Sequence, residues 1–136
     1  AGSWAPVLVA IYGASLVGAG IFRADPAAGF PAGTPEVTPI SWHGTLHLAV
    51  GSVGFGCLIA ACFVLAARFA AEGQRGLAWF SRVAGVVFFA GFAGIASGSH
   101  GPTTLAFTAA IVTIWAWLST TSVRLYRAAG STPAAG

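Results

Sequence analysis

Residues 42–67, WHGTLHLAVGSVGFGCLIAACFVLAA, decide the fold: the run carries no Asp, Glu, Lys or Arg. A hydrocarbon core about 30 Å thick is crossed by roughly 20 helical residues, so this stretch is long enough to span a bilayer. Three further apolar stretches reach the same length, Trp4 to Phe22, Leu77 to Ser99 and Thr103 to Leu125. The only Pro of the first, Pro6, falls in its first turn, where a missing N–H costs nothing. The expected architecture is all-α: one polytopic membrane domain over residues 1–136, with four transmembrane helices at about 4–22, 42–67, 77–99 and 103–125.

Composition agrees. Hydrophobic residues make up 57% of the 136 positions and charged residues 7%, with a mean hydropathy of +0.84. Soluble domains carry about 25% charged residues. All six basic residues are Arg, opposed by Asp25, Glu36 and Glu72. Six scattered arginines form no basic stripe, so the pI near 9.5 gives no reason to expect nucleic acid as a partner.

The connections differ in character. Residues 23–41, RADPAAGFPAGTPEVTPIS, hold four Pro and two Gly and continue neither flanking helix. The segment is expected to be an ordered, irregular loop packed over the helix ends. Ser99 to Pro102 is a tight turn, and the tail from 128 to 136 reads as disordered. Because successive loops alternate sides, Arg68, Arg75, Arg82, Arg124 and Arg127 fall at one end of the bundle and Arg23 alone at the other. That asymmetry predicts a membrane protein with both termini cytoplasmic and the long loop outside. Arg82, about one turn inside its helix, reaches the headgroups by snorkelling.

Small residues at i, i+4 and i+8 (Ala10, Ala14, Gly18 and again Ala90, Gly94, Gly98) predict close helix contacts, within the chain or against partner helices. Cys57 and Cys62 point about 140° apart on one helix, cannot pair with each other, and read as packing residues. Trp4, Trp42, Trp79, Trp115 and Trp117 are expected towards helix ends or one turn in, as an interfacial aromatic belt would place them.

Polar residues that can carry chemistry gather at the loop end. His43 and His47 stand at i, i+4 on the first turns of the second helix, His100 lies just past the third, and Asp25 and Glu36 sit in the long loop. Two imidazoles one turn apart can share one divalent metal such as zinc, with His100 or Asp25 as a third ligand and a fourth position left for water. A zinc-activated water there implies hydrolysis. The competing reading gives these side chains structural work: histidines bonding loop carbonyls and Asp25 capping a turn. A haem fits poorly, since His43 and His47 share a helix and only a pairing with His100 brackets an iron. There is no phosphate-binding Gly-rich loop, no G-x-S-x-G elbow and no Cys-x-x-Cys, and no ionisable residue lies at mid-membrane to couple ion transport.

The segments GASLVGAGIFRADPAAGFPAGTP and SWHGTLH resemble the bacterial domain-of-unknown-function 998 membrane family. The pattern is a helix ending in G-x-G-x-F, a D-P, a G-[YF]-P-x-G-T-P loop and an H-G-x-[LI]-H opening the next helix. Gly18, Gly20, Phe22, Asp25, Pro26, Gly29, Phe30, Pro31, Gly33, Thr34, Pro35, His43, Gly44 and His47 carry the match, with A-A-R-F at 66–69 and G-L-A-W-F-S at 76–81 in support. The resemblance implies a six-helix bundle, two of whose helices precede this part. The lack of any Met fits such a piece, or an initiator Met removed before Ala1. It implies no activity.

Two functional expectations follow. The first is a non-enzymatic membrane component or subunit of a larger complex, partnered by the bilayer and by further helices. The second is a metal-dependent, hydrolase-like enzyme at the outer leaflet, acting on a lipid or lipid-linked substrate through His43, His47 and His100 with Asp25.

Overall fold

A computed structural model describes residues 4–26, 30–35 and 38–130. Four helices follow one another: α1 (Ala5–Ile21), α2 (Trp42–Ala71), α3 (Arg75–Ser97) and α4 (Gly101–Gly130). Each packs antiparallel on the next in sequence. The three-residue connections after α2 and after α3 leave the next helix as the neighbour each can reach at once. Helices α2, α3 and α4 are long and apolar enough to cross a membrane. The first is apolar throughout but has 17 residues, the lower limit of the roughly 17–25 that a span uses.

The helix ends differ from their expected places where polar but helix-favouring residues extend an apolar run. Helix α2 continues past 67 through Arg68, Phe69 and two alanines. It stops where Gly73 adopts φ +73°, with Gln74 N–H on the Phe69 carbonyl (2.8 Å) and Gly73 N–H on the Ala70 carbonyl (3.1 Å). Those two bonds make a Schellman cap, whose left-handed position favours glycine. At the other terminus, the disorder expected from 128 gives way to helix through Ala128, Ala129 and Gly130. Alanine is the strongest helix former, and a helix already running extends cheaply through it. Residues 131–136 lie outside the described residues.

Leu58, Cys62, Phe69, Phe88, Ile114 and Trp117 are fully buried in the core, so Trp117 packs inside the bundle and not in the expected interfacial belt. Phe55 meets Phe88 and Phe92 edge-on, at 5.1 and 5.2 Å between centroids. Cys57 and Cys62 are free thiols, half-buried and buried. Helices α1 and α4 meet through long side chains, with Trp115 Nε1–H donating to the Tyr12 hydroxyl (3.0 Å).

Close helix contacts form, but mostly one register away from the expected small-residue stripes. Ser15 sits directly against Gly54, and a Cβ on Gly91 would lie 2.6 Å from that of Ala110. A Cβ on Gly85 would lie 3.0 Å from that of Cys62. Of the stripe glycines, Gly18 meets a neighbouring helix, at Val50. Ala10, Ala14 and Ala90 are exposed, and Gly94 faces open space. Periodicity identifies a small face, but in a chain holding 19 Gly several faces qualify. The large side chains that must find core space choose among them.

Candidate functional site

The loop end is organised around two helix termini. Helix α2 begins at Ser41, whose Oγ accepts from Gly44 N–H (3.0 Å), the usual N-cap bond. Asp25 completes it from the far end of the loop. Its Oδ2 accepts from Ser41 N–H (2.7 Å) and its Oδ1 from the Ser41 hydroxyl (2.6 Å). The Ser41 side chain thus donates to Asp25 while accepting from Gly44, and a negative group rests at the positive end of the α2 dipole. These bonds, the side-chain one first, hold the Asp25 carboxyl below its ordinary pKa; partial burial opposes them and His43 adds a small pull in the same direction. Thr38 Oγ1 donates to the Pro26 carbonyl (2.6 Å), a second tie across the loop.

Gly44 is what lets the carboxylate in. A Cβ at that position would overlap Asp25, with Cγ only 2.6 Å away. The glycine between the two histidines therefore serves close approach.

His47 does the complementary work on α1. Its Nδ1 lies 2.9 Å from the Ala19 carbonyl and 2.8 Å from the Phe22 carbonyl, both in the last turn of that helix, where carbonyls lack intrahelical partners. Carbonyls only accept, so Nδ1 carries the proton and Nε2 holds the lone pair. His43, one turn earlier, stacks on Trp42 (centroids 3.7 Å, 32° between planes) and approaches Phe22 at 6.2 Å. Its Nδ1 is buried without a hydrogen-bond partner.

His100 stands apart from both. Its backbone N–H is held by Thr103 Oγ1 (3.0 Å) at the start of α4, the reverse arm of a capping box. The ring is exposed and makes no hydrogen bond. It faces Asp25 across an open groove of about 890 Å³ between the loop and the α3–α4 turn. Phe30, Pro31 and Leu105 supply much of the apolar wall, with Ser99 and Thr104 beside His100.

The four candidate residues thus share one end of the bundle without bonding one another. Asp25 and His100 line one groove, His43 lies close enough to Asp25 to feel its charge, and His47 turns towards α1. Asp25 and His47 instead bond the termini of α2 and α1. Among the described residues, no group of three or more His, Cys, Asp or Glu is arranged to hold a metal ion. Glu36, the fifth polar residue of the cluster, lies outside the described residues.

Ser41 and Gly44 are the functional residues that sequence reading passed over. A Ser before a long apolar run is itself an N-cap signal. Its pairing with an aspartate 16 positions earlier has no local signature.

An all-α bundle of spanning helices, with a loop clamped across two helix termini, defines a polytopic membrane protein built around its loop end. A family model for proteins of unknown function, DUF998, matches residues 1–124, and the chain belongs to that family. No curated protein and no solved structure matches it.

Proposed function

We propose that the protein is a non-enzymatic component of the bacterial inner membrane, with both termini cytoplasmic and the long loop outside, serving as a subunit of a larger membrane assembly. One observation carries this reading: Asp25 and His47, the residues best placed for chemistry, spend their hydrogen bonds on the ends of α2 and α1. Burial on α1 supports the subunit role. It buries Ala5, Tyr12 and Ser15 and leaves Val7, Ile11, Leu16, Val17 and Ile21 exposed, a surface suited to lipid or to the further helices of a six-helix bundle. The arginine distribution supports the orientation.

The metal-dependent hydrolase stands as a second reading because of the His47 tautomer. A ring that donates Nδ1–H to backbone carbonyls presents Nε2 as metal-binding histidines do. His43, His100 and Asp25 would complete the set, with zinc supplying an activated water.

Metal analysis of protein purified without chelators separates the two. Substoichiometric metal, unchanged by His47→Ala, agrees with the first reading; one divalent ion per chain, lost in that variant, overturns it. For orientation, Thr34→Cys should react with an impermeant thiol reagent added to intact cells and Ala71→Cys should not, in a background with Cys57 and Cys62 replaced by Ala. The reverse pattern sinks it.

A further inference from the structure

At the end of the bundle opposite the long loop, positive charge goes largely uncompensated. Arg68 pairs with Glu72 (Nε–Oε1 2.7 Å), the one ion pair among the described residues. Arg75, Arg82, Arg124 and Arg127 have no carboxylate partner there. Two of the four line a built groove. Between α3 and α4 lies a space of about 490 Å³ walled by Leu77, Ser119, Thr120, Val123, Arg124 and Arg127.

The polar side of this groove is held in place. Glu72 Oε2 accepts from Gln74 Nε2 (2.7 Å), which turns the amide so that Gln74 Oε1 accepts from Arg124 Nε (3.1 Å). Arg124 is thereby anchored through Nε alone, and its two terminal amino groups keep no partner among the described residues. The Arg127 side chain, three residues on and on the same side of α4, makes no hydrogen bond or ion pair among the described residues. Ser119 offers an unbonded hydroxyl, whereas the Thr120 hydroxyl already donates to the Ala116 carbonyl (2.8 Å). The remaining wall, Leu77 and Val123, is apolar.

We propose that this groove binds the phosphodiester headgroup of an anionic glycerophospholipid, with Arg124 and Arg127 on the phosphate oxygens and the glycerol and upper acyl chains along Leu77 and Val123. Two guanidiniums and a free hydroxyl match a phosphate. Leu77 and Val123 stand on α3 and α4, both long and apolar enough to span, which favours a lipid over a soluble anion. Basic pockets between helices at a membrane face bind anionic headgroups in this way. The site does not depend on the function proposed above, nor on which leaflet this end meets.

Native mass spectrometry of detergent-solubilised protein titrated with phosphatidylglycerol or phosphatidylcholine tests the assignment. The wild type should retain one phosphatidylglycerol at least about fivefold more tightly than phosphatidylcholine, roughly the effect of one arginine at a charged surface. Arg127→Gln, which breaks no side-chain bond among the described residues, and Arg124→Gln should each weaken that preference several-fold. Arg82→Gln takes the same charge from the same end but does not line the groove, and should change retention less than about twofold. Inorganic phosphate at millimolar concentration should not displace the lipid. Equal retention of the two lipids, equal losses in Arg82→Gln and Arg127→Gln, or displacement by phosphate would each overturn the proposal, the last in favour of a soluble anion.

Discussion

Ser81→Ala probes the one fully buried hydrogen bond between two side chains among the described residues. Trp117 Nε1–H donates to Ser81 Oγ at 2.8 Å, and both residues are completely buried. Ser81 Oγ itself donates to the Leu77 carbonyl (2.8 Å), an acceptor the helix already supplies with the Ser81 backbone N–H, so losing that second bond costs little. The cost of Ser81→Ala is therefore that of stranding an indole N–H among apolar side chains. In water-soluble cores such a loss runs to about 1–3 kcal/mol, while measured side-chain bonds within membrane bundles average about 0.6 and reach about 1.7 kcal/mol. Full burial of both partners places this pair in the overlap, at about 1–1.5 kcal/mol. Trp117→Phe removes the donor as well as ring volume, so it destabilises by itself but leaves nothing for Ser81 to satisfy. In that background Ser81→Ala should cost less than about 0.5 kcal/mol, giving a coupling near 1 kcal/mol. Unfolding in mixed micelles of increasing dodecyl sulfate content, followed by helical circular dichroism, measures all four corners of the cycle. If Ser81→Ala costs the same whether residue 117 is Trp or Phe, the bond contributes nothing, and burial alone accounts for the serine.

Two further predictions test the helix contact and the loop clamp. Gly91→Ala forces a Cβ to 2.6 Å from Ala110 Cβ and should destabilise the α3–α4 pair by about 1–3 kcal/mol in the same assay. Gly94→Ala, three residues on, meets nothing within 4 Å and should stabilise by about 0.4–1 kcal/mol through a stiffer unfolded chain. The Asp25 carboxyl is lowered by its bonds to Ser41, so its clamp is fully present above the ordinary Asp pKa of about 3.9 and is lost only as pH falls through the lower, folded value. A fluorophore on Thr34→Cys should gain mobility with a midpoint below that ordinary value. Asp25→Asn should abolish the transition, and a midpoint at or above the ordinary value would contradict the clamp.

Helices were legible in the sequence because a bilayer imposes a length and a polarity that single residues report. The 42–67 run needs no partner to be recognised. Helix ends were less legible: α2 and α4 run on through Ala, Arg and Phe beyond the apolar stretch, because backbone hydrogen bonding does not stop where hydropathy falls. At the candidate site, the sequence placed His43, His47, His100 and Asp25 at one depth, since depth follows from position along a helix. It did not reveal what each side chain bonds, because that depends on rotation about the helix axis and on which backbone groups a neighbouring helix leaves unpaired. His47 illustrates the point. Its partners are carbonyls 25 and 28 residues away, and a carbonyl has no residue signature.

The two clamps nonetheless constrain where any ligand of the loop end must sit. Asp25 ties the loop to α2, His47 ties α2 to the end of α1, and Gly44 between them supplies the space that Asp25 occupies. These three residues join the first helix, the loop and the second helix into one unit. The groove opens on the far side of that unit, towards the α3–α4 turn, where the exposed His100 ring is the nitrogen ligand left uncommitted. Asp25 contributes to both surfaces: its oxygens hold Ser41, and its carboxylate lines the groove. A ligand that drew Asp25 away from Ser41 would leave the Gly44 N–H to Ser41 Oγ cap bond in place but would release the Ser41 N–H and hydroxyl, and with them the tie between the loop and α2.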